Sequence, residues 1–98
     1  MIFQIYAKNL DLPLELKDNL EAKLQKVSLR IKKIISARVD ISRDRHHRKG
    51  DVLRVEINLR LPRKLLRAIA QESQIESSFD LALKKINKQI ERYKERKE

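Results

Sequence analysis

Two adjacent histidines with aspartates on either side are the residues that come closest to a catalytic or metal-binding cluster. His46 and His47 lie between Asp44 and Asp51, and imidazole and carboxylate groups can together bind a metal or transfer protons. Adjacent histidines in a polar segment seldom form a preorganised site, and no other residues are spaced to orient them. We therefore expect no catalytic residue, no metal and no cofactor, and a small nuclease is the least favoured alternative.

The cations are spaced to form continuous helical surfaces. The chain has 24 Lys and Arg against 14 Asp and Glu, a net charge of +10, which in a soluble domain indicates a polyanionic partner such as nucleic acid. Lys23, Lys26 and Arg30 are three or four residues apart and share one face of a predicted helix. A second helix near the C-terminus carries Lys85, Lys88 and Arg92. The spacing predicts two basic faces.

A third group of cations lies in residues 43–51, a segment with no apolar residue and the only glycine. This composition predicts a hairpin connection between two strands. Its cations Arg45, Arg48 and Lys49 are candidates for a second RNA contact. Tyr6 is predicted on an outer strand face and Tyr93 on an apolar helical stripe. Without an aromatic platform, we expect recognition by shape and charge and not by sequence.

Alternating apolar residues predict four strands, and helical spacing predicts two helices. The expected inward side chains of the strands are Phe3, Ile5 and Ala7; Ile35, Ala37, Val39 and Ile41; Leu53, Val55, Ile57, Leu59 and Leu61; and Leu66, Ala68 and Ala70. The first helix is predicted over residues 13–31, beginning at Pro13. The second follows a capping box of Ser73 and Glu76 and ends at about Glu95.

The order of these elements predicts an α+β fold, a two-layer βαβββα sandwich with both helices packed on one face of a four-stranded sheet. The last three strands should be antiparallel neighbours, whereas the partner of the first strand stays open. Residues 1–98 should form a single domain with a basic tail at about 94–98 and no C-terminal dimerisation domain. The chain has no cysteine and no apolar run long enough to span a bilayer, so we expect a cytoplasmic protein with no membrane partner.

The pattern of the second helix resembles that of the ribosome hibernation-promoting factor and ribosome-associated translation inhibitor family, also called the sigma 54 modulation protein family. The family pattern begins with an apolar-Asp pair, here Phe79-Asp80, and a Lys-apolar pair, here Lys85-Ile86. It continues with a basic-Gln-apolar step, here Lys88-Gln89-Ile90, and ends in a basic tail, here Arg92-Tyr93-Lys94. The start of the chain is also similar, with Asn9 after the first strand and with Leu16, Lys17, Lys23, Leu24 and Lys26 in the first helix. Three positions differ: Lys84 replaces a frequent acid, Pro13 a Thr cap and Arg63 the glycine of a Pro-Gly turn.

The resemblance implies a fold similar to double-stranded-RNA-binding domains and a partner, the small ribosomal subunit, bound in its mRNA-tRNA channel at the decoding region. It implies rRNA phosphate contacts by Lys23, Lys26, Lys85, Lys88, Arg92 and Lys94, to which spacing adds Arg30. We expect a bacterial translation inhibitor that protects idle ribosomes in stress or stationary phase, and not an enzyme. A general structured-RNA-binding module or RNA chaperone is the alternative. We expect a monomer when free, and the sequence decides neither whether bound ribosomes dimerise nor the trigger.

Overall fold

Two helices and four strands make up the chain in the computed structural model, which describes residues 2–44, 50 and 52–97; the side chains of 95–97 are outside this description. The strands are β1 (Ile2–Lys8), β2 (Ser36–Asp44), β3 (Val52–Leu61) and β4 (Lys64–Glu72). The helices are α1 (Leu14–Gln25), continued by a 3-10 turn (Lys26–Leu29), and α2 (Ile75–Lys97). The predicted βαβββα order is confirmed.

The sheet has the order β1-β2-β3-β4. Strands β2, β3 and β4 pair antiparallel, as predicted, while β1 pairs parallel to β2, with Ile5 beside Val39. A parallel pair needs a crossover connection, and α1 supplies it. The partner of β1 is therefore β2, and β1 and β4 are the two edges of the sheet.

Both helices pack on one face of the sheet, which makes the predicted two-layer sandwich. The shared core contains Leu20 and Leu24 of α1, Val39 and Ile57 of the sheet, and Phe79 of α2, all fully buried. Most predicted inward side chains are buried. Phe3 and Ile5 of β1 are half-buried, whereas Ala7 of β1 and Ile35, one residue before β2, are exposed.

The prediction of one α-helix over residues 13–31 is wrong at its C-terminal end. The α-helix stops at Gln25, and Lys26–Leu29 form a tighter 3-10 turn. Val27 and Ile31 are nevertheless buried. Pro13 occupies the N-cap position without a side-chain hydrogen bond, as expected where a proline replaces a capping hydroxyl.

Helix α2 begins at Ile75, later than the predicted cap at Ser73 implies, and continues past Glu95 to Lys97. The predicted basic tail is thus the last part of the helix. Ser78 is the one polar residue among the fully buried side chains of the described residues, and its hydroxyl donates to the Leu53 carbonyl at 2.7 Å. A buried hydroxyl requires a hydrogen-bond partner, and this bond holds the start of α2 against β3.

Candidate RNA-binding surface

A polar seam joins the flank of α2 to α1 and the 3-10 turn. Lys23 lies 2.8 Å from the Asp80 carboxylate, and Arg30 donates to the Asn87 side chain at 2.8 Å and reaches Glu91 at 3.4 Å. The first two pairs have the same separation of 57 positions. The two helical elements therefore run in the same direction, and the contact between them repeats after two helical turns.

This seam changes the predicted role of two candidate cations. Lys23 and Arg30 are ion-paired within the protein, and exposed pairs of this kind contribute about 0.2–1 kcal/mol each to stability. An ammonium has three donors and a guanidinium five, so each retains donors for a phosphate. Their first role is to hold the two helical elements in register.

Lys85 lies on the opposite flank of α2, against the edge strand. Its ammonium donates to the Ile69 carbonyl at 2.7 Å, and Gln89, one turn further along α2, binds the backbone of Arg67. The predicted stripe of Lys85, Lys88 and Arg92 is therefore divided, because Lys85 serves the sheet edge. The sequence offered no sign of this division, since it depends on where β4 lies.

Five cations of the 3-10 turn and α2 have described side chains that are exposed and unpaired, and we call these five the free cations. They are Lys26, Lys88, Arg92 and Lys94 of the predicted site, together with Lys84. Within the described part of the chain, none of them makes a hydrogen bond or an ion pair. Lys26 also lines a groove of about 200 Å³ between the helices, beside Asn87 and Leu83. Unpaired exposed cations are the groups best able to bind phosphates.

The helices leave the outer face of the sheet uncovered, and three of its arginines are paired with carboxylates on the same face. Arg38 pairs with Asp40 at 2.9 Å, which raises the pKa of Arg38, and stacks on the Tyr6 ring at 4.6 Å. Tyr6 lies on this face as predicted, and one face of its ring is taken by the guanidinium.

Glu56 is the centre of the second ionic cluster on this face. It receives a hydrogen bond from Asn58 at 3.0 Å and pairs with Arg54 at 3.2 Å and with Arg67 at 3.0 Å. The Asn58 hydrogen bond and the Arg67 guanidinium lower the pKa of Glu56, against the opposing effect of burial. With Arg54 and Arg67 paired to Glu56, this part of the face offers little to a phosphate.

Several candidates lie outside the described residues, namely Arg45, His46, His47, Arg48, Lys49 and Asp51. Among the residues that the structure describes, no group of three or more His, Asp or Glu side chains is placed to hold a metal. No helix in the described ranges is both long and apolar enough to cross a membrane.

Sequence reasoning missed the anionic and amide partners of the cations. Asp80, Asn87 and Glu91 lie at intervals of seven and four residues, and so along one flank of α2. That spacing was a usable signal for a helix-facing polar stripe. Which cations it would meet depends on the parallel run of the helices.

The fold and this surface define a small α+β domain with a basic helical layer. The chain matches the family described as sigma 54 modulation protein / S30EA ribosomal protein over residues 3–98. It belongs to that family, as the resemblance predicted, and ribosome association is confirmed at the level of the family. The family is one of ribosome-binding factors rather than enzymes.

Two solved structures are similar to this chain in fold. A ribosomal subunit interface protein from Coxiella burnetii has a TM-score of 0.84 at 21% identity, covering 96% of this chain and 98% of that one. The N-terminal domain of Protein Y from Thermus thermophilus has a TM-score of 0.77 at 23% identity, covering 94% and 97%. A comparison with the sequences of curated proteins finds no match.

Proposed function

We propose that this protein binds the small ribosomal subunit through rRNA phosphates in the mRNA-tRNA channel, and thereby inhibits translation and protects idle ribosomes. The observation that carries the proposal is the family match over residues 3–98 on a chain whose helical layer displays unpaired cations. The similar structures, those of a ribosomal subunit interface protein and of a Protein Y domain, support it. It acts as a monomer, in the cytoplasm where ribosomes are.

The free cations Lys26, Lys88, Arg92 and Lys94 make the direct phosphate contacts. They are exposed and not engaged elsewhere in the described structure, so binding RNA requires no internal bond to break. Lys23, Arg30 and Lys85 contribute through the donors that their internal partners leave available. Arg45, Arg48 and Lys49 are a further contact proposed from the sequence alone.

Occupancy explains inhibition without catalysis. A domain with extents of 44 × 27 × 18 Å is wider than an RNA strand, so its presence in the channel excludes messenger and transfer RNA. Because affinity comes from phosphate contacts, it should fall with salt by about 0.7–0.9 in log affinity per contact and unit of log salt concentration. Four contacts correspond to a slope of about −3 to −4.

The test is sedimentation of the purified protein with isolated small and large ribosomal subunits, with and without excess RNA duplex. We expect saturable binding to the small subunit near one copy, with little loss to the competitor, and inhibition of translation in a cell-free system at the same concentrations. Equal competition by the duplex would identify a general RNA-binding module instead. Binding only to large subunits would contradict the proposal outright.

A further inference from the structure

A second cluster of exposed cations occupies the end of the sheet where β3 turns into β4. We call it the basic pole, and its members are Lys32, Lys33, Arg60, Arg63 and Lys64. Lys64 pairs with Leu61 across the hairpin, and the Ile35 amide donates to the Arg60 carbonyl at 2.7 Å. This bond places the segment that follows the 3-10 turn, with Lys32 and Lys33, beside the hairpin.

The basic pole is not neutralised. The two segments that meet there, residues 31–39 and 57–71, contain no Asp or Glu. In the described structure the five side chains are exposed and make no ion pair, whereas Arg38, Arg54 and Arg67 on the outer face each bind a carboxylate. Unpaired like charges repel one another, so this arrangement costs stability that an anionic partner would recover.

The backbone of the hairpin is strained as well. Arg63 has a φ of 64°, in the left-handed region that glycine adopts freely and that other L-residues adopt only with steric strain. A cation is thus kept at a position that favours glycine. Backbone strain of this kind is concentrated at functional sites, and here it is combined with an unpaired charge.

Exposed aliphatic side chains accompany the cations. Leu29, Ile2 and Leu65 are 80%, 64% and 57% exposed, and all three lie at this end of the molecule. An open depression of about 480 Å³ is lined by Arg60, Leu61, Arg63, Lys64 and Leu65. A ribose-phosphate backbone suits both features, because its phosphates bind cations and its sugars contact aliphatic groups.

The pole is also continuous with the proposed RNA-binding surface. The contacts of Lys85 with Ile69 and of Gln89 with Arg67 show that α2 runs antiparallel to β4. The later residues of α2, including Arg92 and Lys94, therefore approach the hairpin end. An RNA strand that follows the free cations along α2 would meet the pole next.

We propose that the basic pole is a second RNA-phosphate contact, formed by the β3–β4 hairpin and the segment before β2. The proposal rests on the proposed function for the identity of the RNA, but the contact itself can be tested on any structured RNA. Its chemistry is that of phosphate recognition without base readout. It assigns a role to cations that the helical surfaces do not include.

The test uses the full chain with Arg63→Gly and Lys64→Gln, beside a control with Lys8→Gln and Lys17→Gln. Both variants lose two exposed, unpaired cations, but the control positions are away from the pole and from the free cations. Affinity is measured against small ribosomal subunits and against an RNA duplex of about 16 base pairs over a salt series. We expect the pole variant to bind roughly 10- to 30-fold more weakly near 0.15 M salt, with a slope shallower by about 1.4–1.8. The control should match the wild type.

Glycine suits the φ of Arg63, so the pole variant should fold, and Lys32→Gln with Lys33→Gln tests the same site from a separate segment.

If both pole variants bind every RNA as the control does, the pole is not a contact, even where subunit binding supports the proposed function. If the wild type binds the duplex but not the subunits, the proposed function fails and the duplex data decide the pole. Weaker subunit binding with an unchanged salt slope would identify a protein contact and overturn the RNA assignment. Binding of neither RNA would contradict both proposals.

Discussion

Gln89 of α2 binds both backbone groups of Arg67 on the edge strand β4: its amide nitrogen donates to the Arg67 carbonyl at 2.7 Å, and its amide oxygen accepts from the Arg67 N–H at 3.2 Å. Lys85 occupies the next outward carbonyl, that of Ile69. An open sheet edge is a template for pairing with another chain. These two side chains cover the outward backbone groups at this part of β4.

Replacing Gln89 by leucine should therefore have two effects. It leaves two backbone groups without their partner, which we expect to lower the free energy of unfolding by about 1–3 kcal/mol. It also opens the edge, so self-association should increase at high concentration. Urea unfolding and analytical ultracentrifugation measure the two effects. Gln71→Leu, at an exposed position of β4, is the control. Equal effects of both substitutions would show that Gln89 does not specifically protect the edge of β4.

Arg63→Gly should stabilise the protein. At a φ of 64° an arginine is strained, and glycine relieves the strain at some entropic cost, so we expect a gain of up to about 1 kcal/mol. Arg60→Gly removes the same charge from β3, where glycine weakens a strand by about 0.5–1 kcal/mol. Denaturant unfolding of both variants gives the comparison. Destabilisation by both substitutions would mean that the turn is not strained.

The pH dependence of stability should reflect Glu56. Hydrogen bonding from Asn58 and the charge of Arg67 lower its pKa from an ordinary value of 4.5. A group with a lowered folded-state pKa contributes stability that is fully present above the unfolded-state pKa and is lost as the pH falls through the folded-state pKa. Glu56→Gln should thus be less stable than the wild type by about 1–2 kcal/mol at pH 7.

This difference should shrink as the pH falls below 4.5 and vanish once the wild-type carboxyl is protonated. Urea unfolding over a pH series measures it. Glu72→Gln, at the exposed end of β4, is the matched control and should change stability little at pH 7. A Glu56→Gln difference that stays constant from neutral to acidic pH would show that the ionised form of Glu56 is not what stabilises the sheet.

Asp80→Asn should separate the two roles of Lys23. The ion pair between them is 2.8 Å long with side chains 29% and 55% exposed, so its loss should cost no more than about 1 kcal/mol. Removing an acid and freeing a lysine should then strengthen RNA binding about fivefold near 0.15 M salt. Filter binding with an RNA duplex measures this. Weaker binding would mean that Asp80 holds Lys23 in the orientation that phosphate recognition requires.

The architecture was accessible from the sequence because each strand has one buried face. Alternation such as Val55-Glu56-Ile57 identifies a strand and its inward side, and the helical spacing of Phe79, Ile86 and Ile90 identifies α2 in the same way. The end of α1 was not accessible in this way. The spacing of Val27 and Ile31 is that of an α-helix, yet the α-helix ends at Gln25 and both residues are buried all the same.

The candidate surface was only partly accessible, because a cation pattern does not show which charges are already paired. Lys23 and Arg30 meet partners 57 positions away, and Lys85 meets a carbonyl of β4. These contacts depend on the direction of the helices relative to each other and to the edge strand. Periodicity within one element carries no such information.

The free cations of α2 are proposed to bind the RNA of the small ribosomal subunit. The most direct measurement is co-sedimentation with small subunits over a salt series for the wild type, for Lys88→Gln with Arg92→Gln, and for the control Lys8→Gln with Lys17→Gln. We expect the α2 variant to lose roughly 10- to 30-fold in affinity near 0.15 M salt, with a slope shallower by about 1.4–1.8, while the control binds like the wild type. Equal binding by all three proteins would contradict the claim.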